Sequence, residues 1–217
     1  MLRAVFLDLD GTLGDTLPLC VEAFRRTLQA HGRGRVDDEA VTRYFGASDR
    51  GVLSSCLPEA ETEELMREYM GHYLALHPVM APAPFPWVRG MLAGFRTAGL
   101  RLALVTGKEP ESAAATLSFF GLTSFFERIE TGDPRRVVKG ERMLALLGDW
   151  GLRPREALYV GDAPSDVEAS RAAGVPIAAA AWAGTADKDA LAAAGPDYLL
   201  GDPSQLSGLV LRLRGTP

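Results

Sequence analysis

Ala4-Val-Phe-Leu-Asp8-Leu-Asp10-Gly11-Thr12 decides how the rest of the chain is read. Residues 4 to 9 form an almost unbroken apolar run. Such a run fits a strand buried on both faces of a parallel sheet, rather than one with a wet face. Asp8 and Asp10 stand two apart, so strand alternation points both carboxylates the same way. Paired carboxylates at the end of a buried strand repel each other, and burial disfavours their charged forms. A fold tolerates this where the pair serves a divalent cation, a division of acid and base work, or both. A lone Asp before Gly is more simply a turn residue; the pair after such a run carries the chemical reading.

Similar short runs recur along the chain. They span 102–105, 157–160, 176–181 and 197–200, and they precede Thr106-Gly107, Gly161-Asp162, Trp182-Ala183-Gly184 and Gly201-Asp202. Helical patterns lie between them. Pro110 suits the first turn of one, before Ala113, Leu117 and Phe120, and Met143, Leu144 and Leu147 stripe another. This alternation predicts an α/β fold with a doubly wound parallel sheet. Residues 18–77 break the rhythm. Leu17, Val21, Phe24 and Leu28 fall on one helix face, as do Leu65, Met66, Tyr69, Met70 and Tyr73 in a later helix. From His77 to Pro86 four prolines predict a stiff, extended connector. The expected division is a catalytic core of residues 1–15 plus 88–217, with a helical insert at 16–87.

Composition narrows the function classes. The chain has 217 residues, 24% charged and 47% hydrophobic, which excludes wholesale disorder. The net charge of -5 argues against a nucleic-acid backbone binder, which needs clustered cations. Cys20 and Cys56 belong to no metal or redox pair, which fits buried thiols in a reducing cytosol. The first apolar run is interrupted at Asp8, unlike a signal peptide. The uncharged stretch Ala172 to Ala186 falls short of the roughly 20 residues of a membrane span. The expectation is a cytoplasmic protein with no membrane or nucleic-acid partner, as monomer or homodimer.

Three further pieces can carry chemistry. Asp162, after the 157–160 run, completes an oxygen-rich site for a hard cation, with Asp166 one helical turn on; alone, Asp166 reads equally as a helix-start residue. Thr106-Gly107 offers a hydroxyl and backbone amides beside a helix start, an anion pocket or simply a capped turn. Lys139 precedes the Met143 helix and takes its weight from its place in the order. The histidines, His31, His72 and His77, all fall in the helical insert, away from these motifs. No G-x-S-x-G elbow, phosphate-binding P-loop or Cys/His cluster is present.

In this combination — Asp8-x-Asp10-Gly-Thr, Thr106, Lys139, then Gly-Asp162-x-x-x-Asp166 — the whole chain resembles the haloacid-dehalogenase-like hydrolases. The insert resembles that family's mobile helical cap. The resemblance is to the phosphatase branch, in its phosphoglycolate-phosphatase group. It implies a Rossmann-like core and Mg²⁺-dependent hydrolysis of a small-molecule phosphate ester. By that resemblance Asp8 is the nucleophile that forms an aspartyl-phosphate, and Asp10 the general acid and base. Asp8, the Asp10 carbonyl, Asp162 and Asp166 (directly or through water) hold the metal. Thr106, the Gly107 amide and Lys139 hold the phosphoryl oxygens. Two departures stand out: Gly107 replaces a common asparagine, and Gly140 a common proline.

Single residues separate the family's chemistries. The dehalogenases lack an acid at the Asp10 position. The phosphonate hydrolases use a cap lysine, and residues 14–87 contain none. A sugar phosphomutase shares all four motifs and is the alternative enzyme. A non-catalytic phospho-acceptor or binding module is the alternative outside catalysis. Lys139 is expected to face phosphate and Asp8, while Lys108, beside the anion turn, is expected to be solvated. The turn Gly46-Ala47-Ser48-Asp49-Arg50 is the candidate reader of the leaving group, with Arg50 binding a carboxylate.

Overall fold

The computed structural model describes residues 1–31, 37–38, 42, 48–57 and 62–215. Six parallel strands form one sheet: β1 (Ala4–Leu7), β2 (Arg101–Val105), β3 (Arg128–Glu130), β4 (Ala157–Gly161), β5 (Ile177–Ala180) and β6 (Tyr198–Leu200). Their order is β3-β2-β1-β4-β5-β6. The chain winds outward from β1 to β3, then crosses back to β4 and winds the other way. β1 is therefore central, which explains its apolar run: every side chain from Ala4 to Leu7 is buried. Alternation divides the sheet residues between two cores. Val5, Leu7, Leu104 and Val160 pack on one face against α4 (Val88–Thr97), α5 (Pro110–Phe120) and α9 (Ser204–Arg214). Ala4, Phe6, Ala103 and Tyr159 pack on the other against α6 (Lys139–Trp150) and α7 (Pro164–Ala173). A short helix, α8 (Lys188–Ala194), covers Ala179 and Ala181 through Leu191.

Between β1 and α4 the structure describes three further helices, α1 (Leu17–Ala30), α2 (Asp49–Cys56) and α3 (Thr62–Met80). Phe24 of α1 stacks on Tyr69 of α3 with ring centroids 4.3 Å apart. Helix α3 also seats on the core, because the Tyr73 hydroxyl meets Thr116 Oγ1 of α5 at 2.6 Å. Phe24, Leu65, Tyr69 and Tyr73 therefore join the same buried cluster as Val5 and Leu7. Among the described residues no helix is long and apolar enough to cross a membrane.

Three local expectations change. Helix α3 runs to Met80 with Pro78 inside its last turn, so the connector begins later than His77. That proline removes one amide donor, but the His77 carbonyl still accepts from the Ala81 amide at 3.0 Å. In α6 the inward stripe is Met143, Leu146 and Leu147, while Leu144 is exposed. Strand β3 has no counterpart in the sequence reading. It is a three-residue edge strand pairing only with β2, and two of its residues are charged.

Candidate active site

Register sets the height of the site. Leu7 pairs with Leu104 on one side and Val160 on the other, so the loops after β1, β2 and β4 leave the sheet together. They leave where the winding reverses, the place where open α/β sheets form a crevice. There a cavity of about 400 Å³ is lined by Asp8, Asp10, Thr106, Gly107, Lys139 and Asp162. Leu17, Cys20, Phe24, Asp49 and Val52 of the helical segment close it from the other side.

The Asp8 amide donates to the Val160 carbonyl at 2.8 Å, continuing the sheet by one residue. The Asp8 carboxylate is buried; its Oδ2 accepts from Lys139 Nζ at 3.0 Å, and its Oδ1 has no hydrogen-bond partner. Past Asp8 the chain turns tightly: the Gly11 amide donates to the Gly14 carbonyl at 2.9 Å, and Thr16 Oγ1 donates to Asp10 Oδ1. Gly11 has φ +67°, and a Cβ there would lie 1.8 Å from Asp162 Oδ2. The glycine thus admits both the left-handed turn and the close passage of that carboxylate.

Asp166, in the first turn of α7, is fully buried. Its Oδ1 accepts from Lys139 Nζ at 2.6 Å and from the Tyr159 hydroxyl at 2.9 Å, while Oδ2 accepts from the Ala163 amide at 3.1 Å. Asp8, Asp162 and Asp166 each bring an oxygen within 4.8 Å of the others. Three carboxylates thus face one ammonium, and the electrostatics reflect it. Burial raises the Asp8 carboxyl to about 6; Lys139 opposes the rise, while Asp166 and Asp10 add to it. Burial, then the charges of Asp8 and Asp166, hold Asp162 well above the ordinary carboxylate range. Burial lowers the Lys139 ammonium, but Asp166 and Asp8 outweigh it and hold it above its usual value. The excess negative charge and the all-oxygen donor set suit a hard divalent cation. Glycine at 140 has a packing reason: a Cβ there would approach the Ala169 carbonyl oxygen to 3.1 Å, where α6 crosses α7.

Thr106 is buried, and its Oγ1 accepts from the Lys108 amide at 3.4 Å. Lys108 itself overturns the expectation of a solvated residue. It is 4% exposed, with Nζ 3.6 Å from Asp10 Oδ2 and 3.9 Å from Asp49 Oδ1. Its ammonium also sits 3.3 Å from Cys20 Sγ and 4.6 Å from the centre of the Tyr73 ring. Apart from Asp10, the partners that make its burial tolerable come from the helical segment, so no local pattern around residue 108 announces them.

Of the candidate turn, Gly46 and Ala47 lie outside the described residues. Ser48 caps α2 and donates to Glu109 Oε1 at 2.6 Å. Asp49 is buried; it accepts from the Tyr69 hydroxyl at 2.9 Å, the Glu109 amide at 3.1 Å and Ser112 Oγ. Arg50 is ion-paired with the exposed Glu63 and does not line the cavity. The turn therefore joins the helical segment to the loop after β2, and its arginine is spent elsewhere.

A parallel sheet carrying carboxylates and a lysine at its switch point defines a hydrolase class that sequence comparison identifies. The chain belongs to the haloacid dehalogenase-like hydrolases, whose family model matches residues 5–180. It is 32% identical over 217 residues to the phosphoglycolate phosphatase of Aquifex aeolicus, covering 96% of this chain and 97% of that protein. Against the phosphoglycolate phosphatase of Synechococcus elongatus it is 30% identical over 217 residues, covering 98% and 99%. The crystal structure of a predicted phosphoglycolate phosphatase from Haemophilus somnus has the same fold. Its TM-score is 0.82 at 22% identity, covering 97% of this chain and 98% of that one.

Proposed function

We propose that this phosphatase hydrolyses a small phosphomonoester of the phosphoglycolate type through an aspartyl-phosphate on Asp8. The observation that carries the reading is the Asp8 carboxylate itself: the residue lines the cavity, one of its oxygens is fixed by Lys139, and the other is buried with no partner. An oxygen so placed is free to attack phosphorus while its twin is held still.

Asp8, the Asp10 carbonyl and Asp162 would hold Mg²⁺, which when bound supplies neutralisation of the phosphate charge. Asp166, whose oxygens already serve Lys139, Tyr159 and Ala163, would reach it through water. Thr106, the Gly107 amide and Lys139 would receive the phosphoryl oxygens. As the bond from Asp8 oxygen to phosphorus forms, the bond to the ester oxygen breaks, and Asp10 gives its proton to the departing alcohol. Asp10 then takes a proton from water, whose oxygen attacks phosphorus and frees the Asp8 carboxylate and inorganic phosphate. Residues 16–87 act as the cap that closes the site and meets the leaving group.

The test is phosphate release from phosphoglycolate in Mg²⁺. The wild type is expected to turn over, and Asp8→Asn to show none, because an amide is no nucleophile. Undiminished turnover in Asp8→Asn would falsify the reading.

A further inference from the structure

Lys139 spends its protons on the carboxylates beneath the cavity. Lys108 does not. Among the described residues, the only acceptor within hydrogen-bond distance of its ammonium is the Cys20 thiol at 3.3 Å. Asp10 and Asp49 balance its charge at 3.6 and 3.9 Å, beyond hydrogen-bond length. Asp49 is not waiting for it either, since its carboxylate already receives Tyr69, Glu109 and Ser112. The charge of Lys108 is thus balanced, but its remaining hydrogens have no oxygen acceptor within reach until a ligand brings one.

The position of Lys108 says which ligand. It lines the same cavity as Asp8 and Lys139, but stands beside Asp10, the residue proposed to protonate the ester oxygen. An acidic group carried on the carbon next to that oxygen would therefore fall near Lys108. The helical wall adds two polar side chains, Thr42 and Asp49, and neither is a cation. Leu17, Phe24 and Val52 are apolar, which suits a short methylene unit. Among the described residues, Lys108 and Lys139 are the cations lining the cavity, and Arg50 is paired with Glu63.

We propose that Lys108 is the specificity-determining residue, binding the carboxylate of a leaving group whose acidic carbon adjoins the ester-bearing one. This rests on the phosphomonoesterase reading above and deepens it by naming the residue that reads the leaving group.

The experiment compares phosphoglycolate with its carboxamide analogue, which has the same size and no second charge, on wild type and on Lys108→Met. Wild type is expected to favour phosphoglycolate in kcat/KM by roughly 10- to 100-fold, the range of a charge-assisted hydrogen bond. Lys108→Met is expected to lose most of that preference, chiefly through KM for phosphoglycolate. Arg50→Ala is expected to keep the wild-type preference. Where Lys108→Met does not fold, Lys108→Gln, which keeps a hydrogen-bond donor without the charge, takes its place. Equal efficiency on both overturns the assignment of Lys108 and leaves the phosphatase reading standing. Release of phosphate from neither ester, nor from phenyl phosphate, overturns the phosphatase reading and this inference with it. A preference that survives in Lys108→Met, or that vanishes in Arg50→Ala, gives the role to another residue.

Discussion

The two lysines of the cavity share burial and charge, but their surroundings differ. On the sheet side Lys139 donates at 2.6 and 3.0 Å to carboxylates from β4's helix and β1's loop. On the helical side Lys108 lies among Cys20, Asp49 and Tyr73 with carboxylates no nearer than 3.6 Å. Short charged hydrogen bonds fix an ammonium in one place, which suits a group that must meet phosphate in every substrate. Long contacts to balanced charge leave an ammonium free to bond something that arrives. The sheet side is built to treat all phosphates alike, and the helical side to tell leaving groups apart.

A loss of turnover shared by all substrates tests the first half of that contrast. Lys139→Ala should lower kcat by about 10²–10³-fold, the typical loss of one donor to developing negative charge. It should do so equally for phosphoglycolate and phenyl phosphate, because both present the same phosphoryl group. It should also destabilise the fold, since it leaves Asp8, Asp162 and Asp166 without their cation. Kinetics on both esters read this; a loss confined to phosphoglycolate would place Lys139 with the leaving group and erase the distinction.

Asp10→Asn comes next and probes the boundary between the two sides. If Asp10 moves the proton, turnover should drop by roughly 10²–10⁴-fold. The drop should be deeper for an alkyl ester, whose alkoxide leaves poorly without a proton, than for a nitrophenyl ester, whose phenolate leaves unaided. A uniform drop across a leaving-group series would mean that Asp10 only holds geometry, through its contacts with Thr16 and Lys108.

Gly11→Ala sharpens the sheet side alone. A non-glycine residue at φ +67° pays about 1–2 kcal/mol for the left-handed conformation. Its methyl would also meet the Asp162 carboxylate, at 1.8 Å from Oδ2. Chemical denaturation should show that loss, and activity should need more Mg²⁺ to saturate because Asp162 is displaced. An unchanged Mg²⁺ dependence would take Asp162 out of the cation site.

The same contrast explains what could be read from sequence. The sheet side was legible because its residues follow buried strands directly. Asp8 and Asp10 after β1, Thr106 after β2 and Asp162 after β4 each stand next to an apolar run, and the parallel register brings them together. Lys139 and Asp166 each open a helix, which fixes their direction. The helical side was not legible, because Lys108 finds Cys20, Asp49 and Tyr73 through packing between segments far apart in the chain. A lysine beside a turn reads as solvated unless those partners are known. Strand β3 escapes the sequence for a related reason: three residues, two of them charged, are too few to establish a period, and only the neighbouring β2 makes them a strand.

The smallest expected effect lies where the two sides meet, at His77. Its Nε2 is 3.3 Å from Thr116 Oγ1, and its Nδ1 is buried with no hydrogen-bond partner among the described residues. Burial, with Lys108 adding to it, lowers its pKa below 6.5, although Asp10 and backbone carbonyls oppose the shift. The unfolded chain then binds the extra proton first as pH falls below 6.5, so His77 contributes a stability that is present above that pH and lost below it. Asp8, raised to about 6, titrates in the same window with the opposite sign, because its folded form holds the proton longer. The observable is therefore a difference between two proteins rather than one slope. Thermal midpoints of wild type and His77→Gln, measured across that window, should converge as pH falls, because only the wild type carries the histidine penalty. Parallel curves would mean that the His77 ring is as easily protonated folded as unfolded. Repeating the comparison in Lys108→Met should shrink the convergence, since that removes the nearest cation opposing the imidazolium, and the size of that change measures how far the charge of Lys108 is felt beyond the cavity.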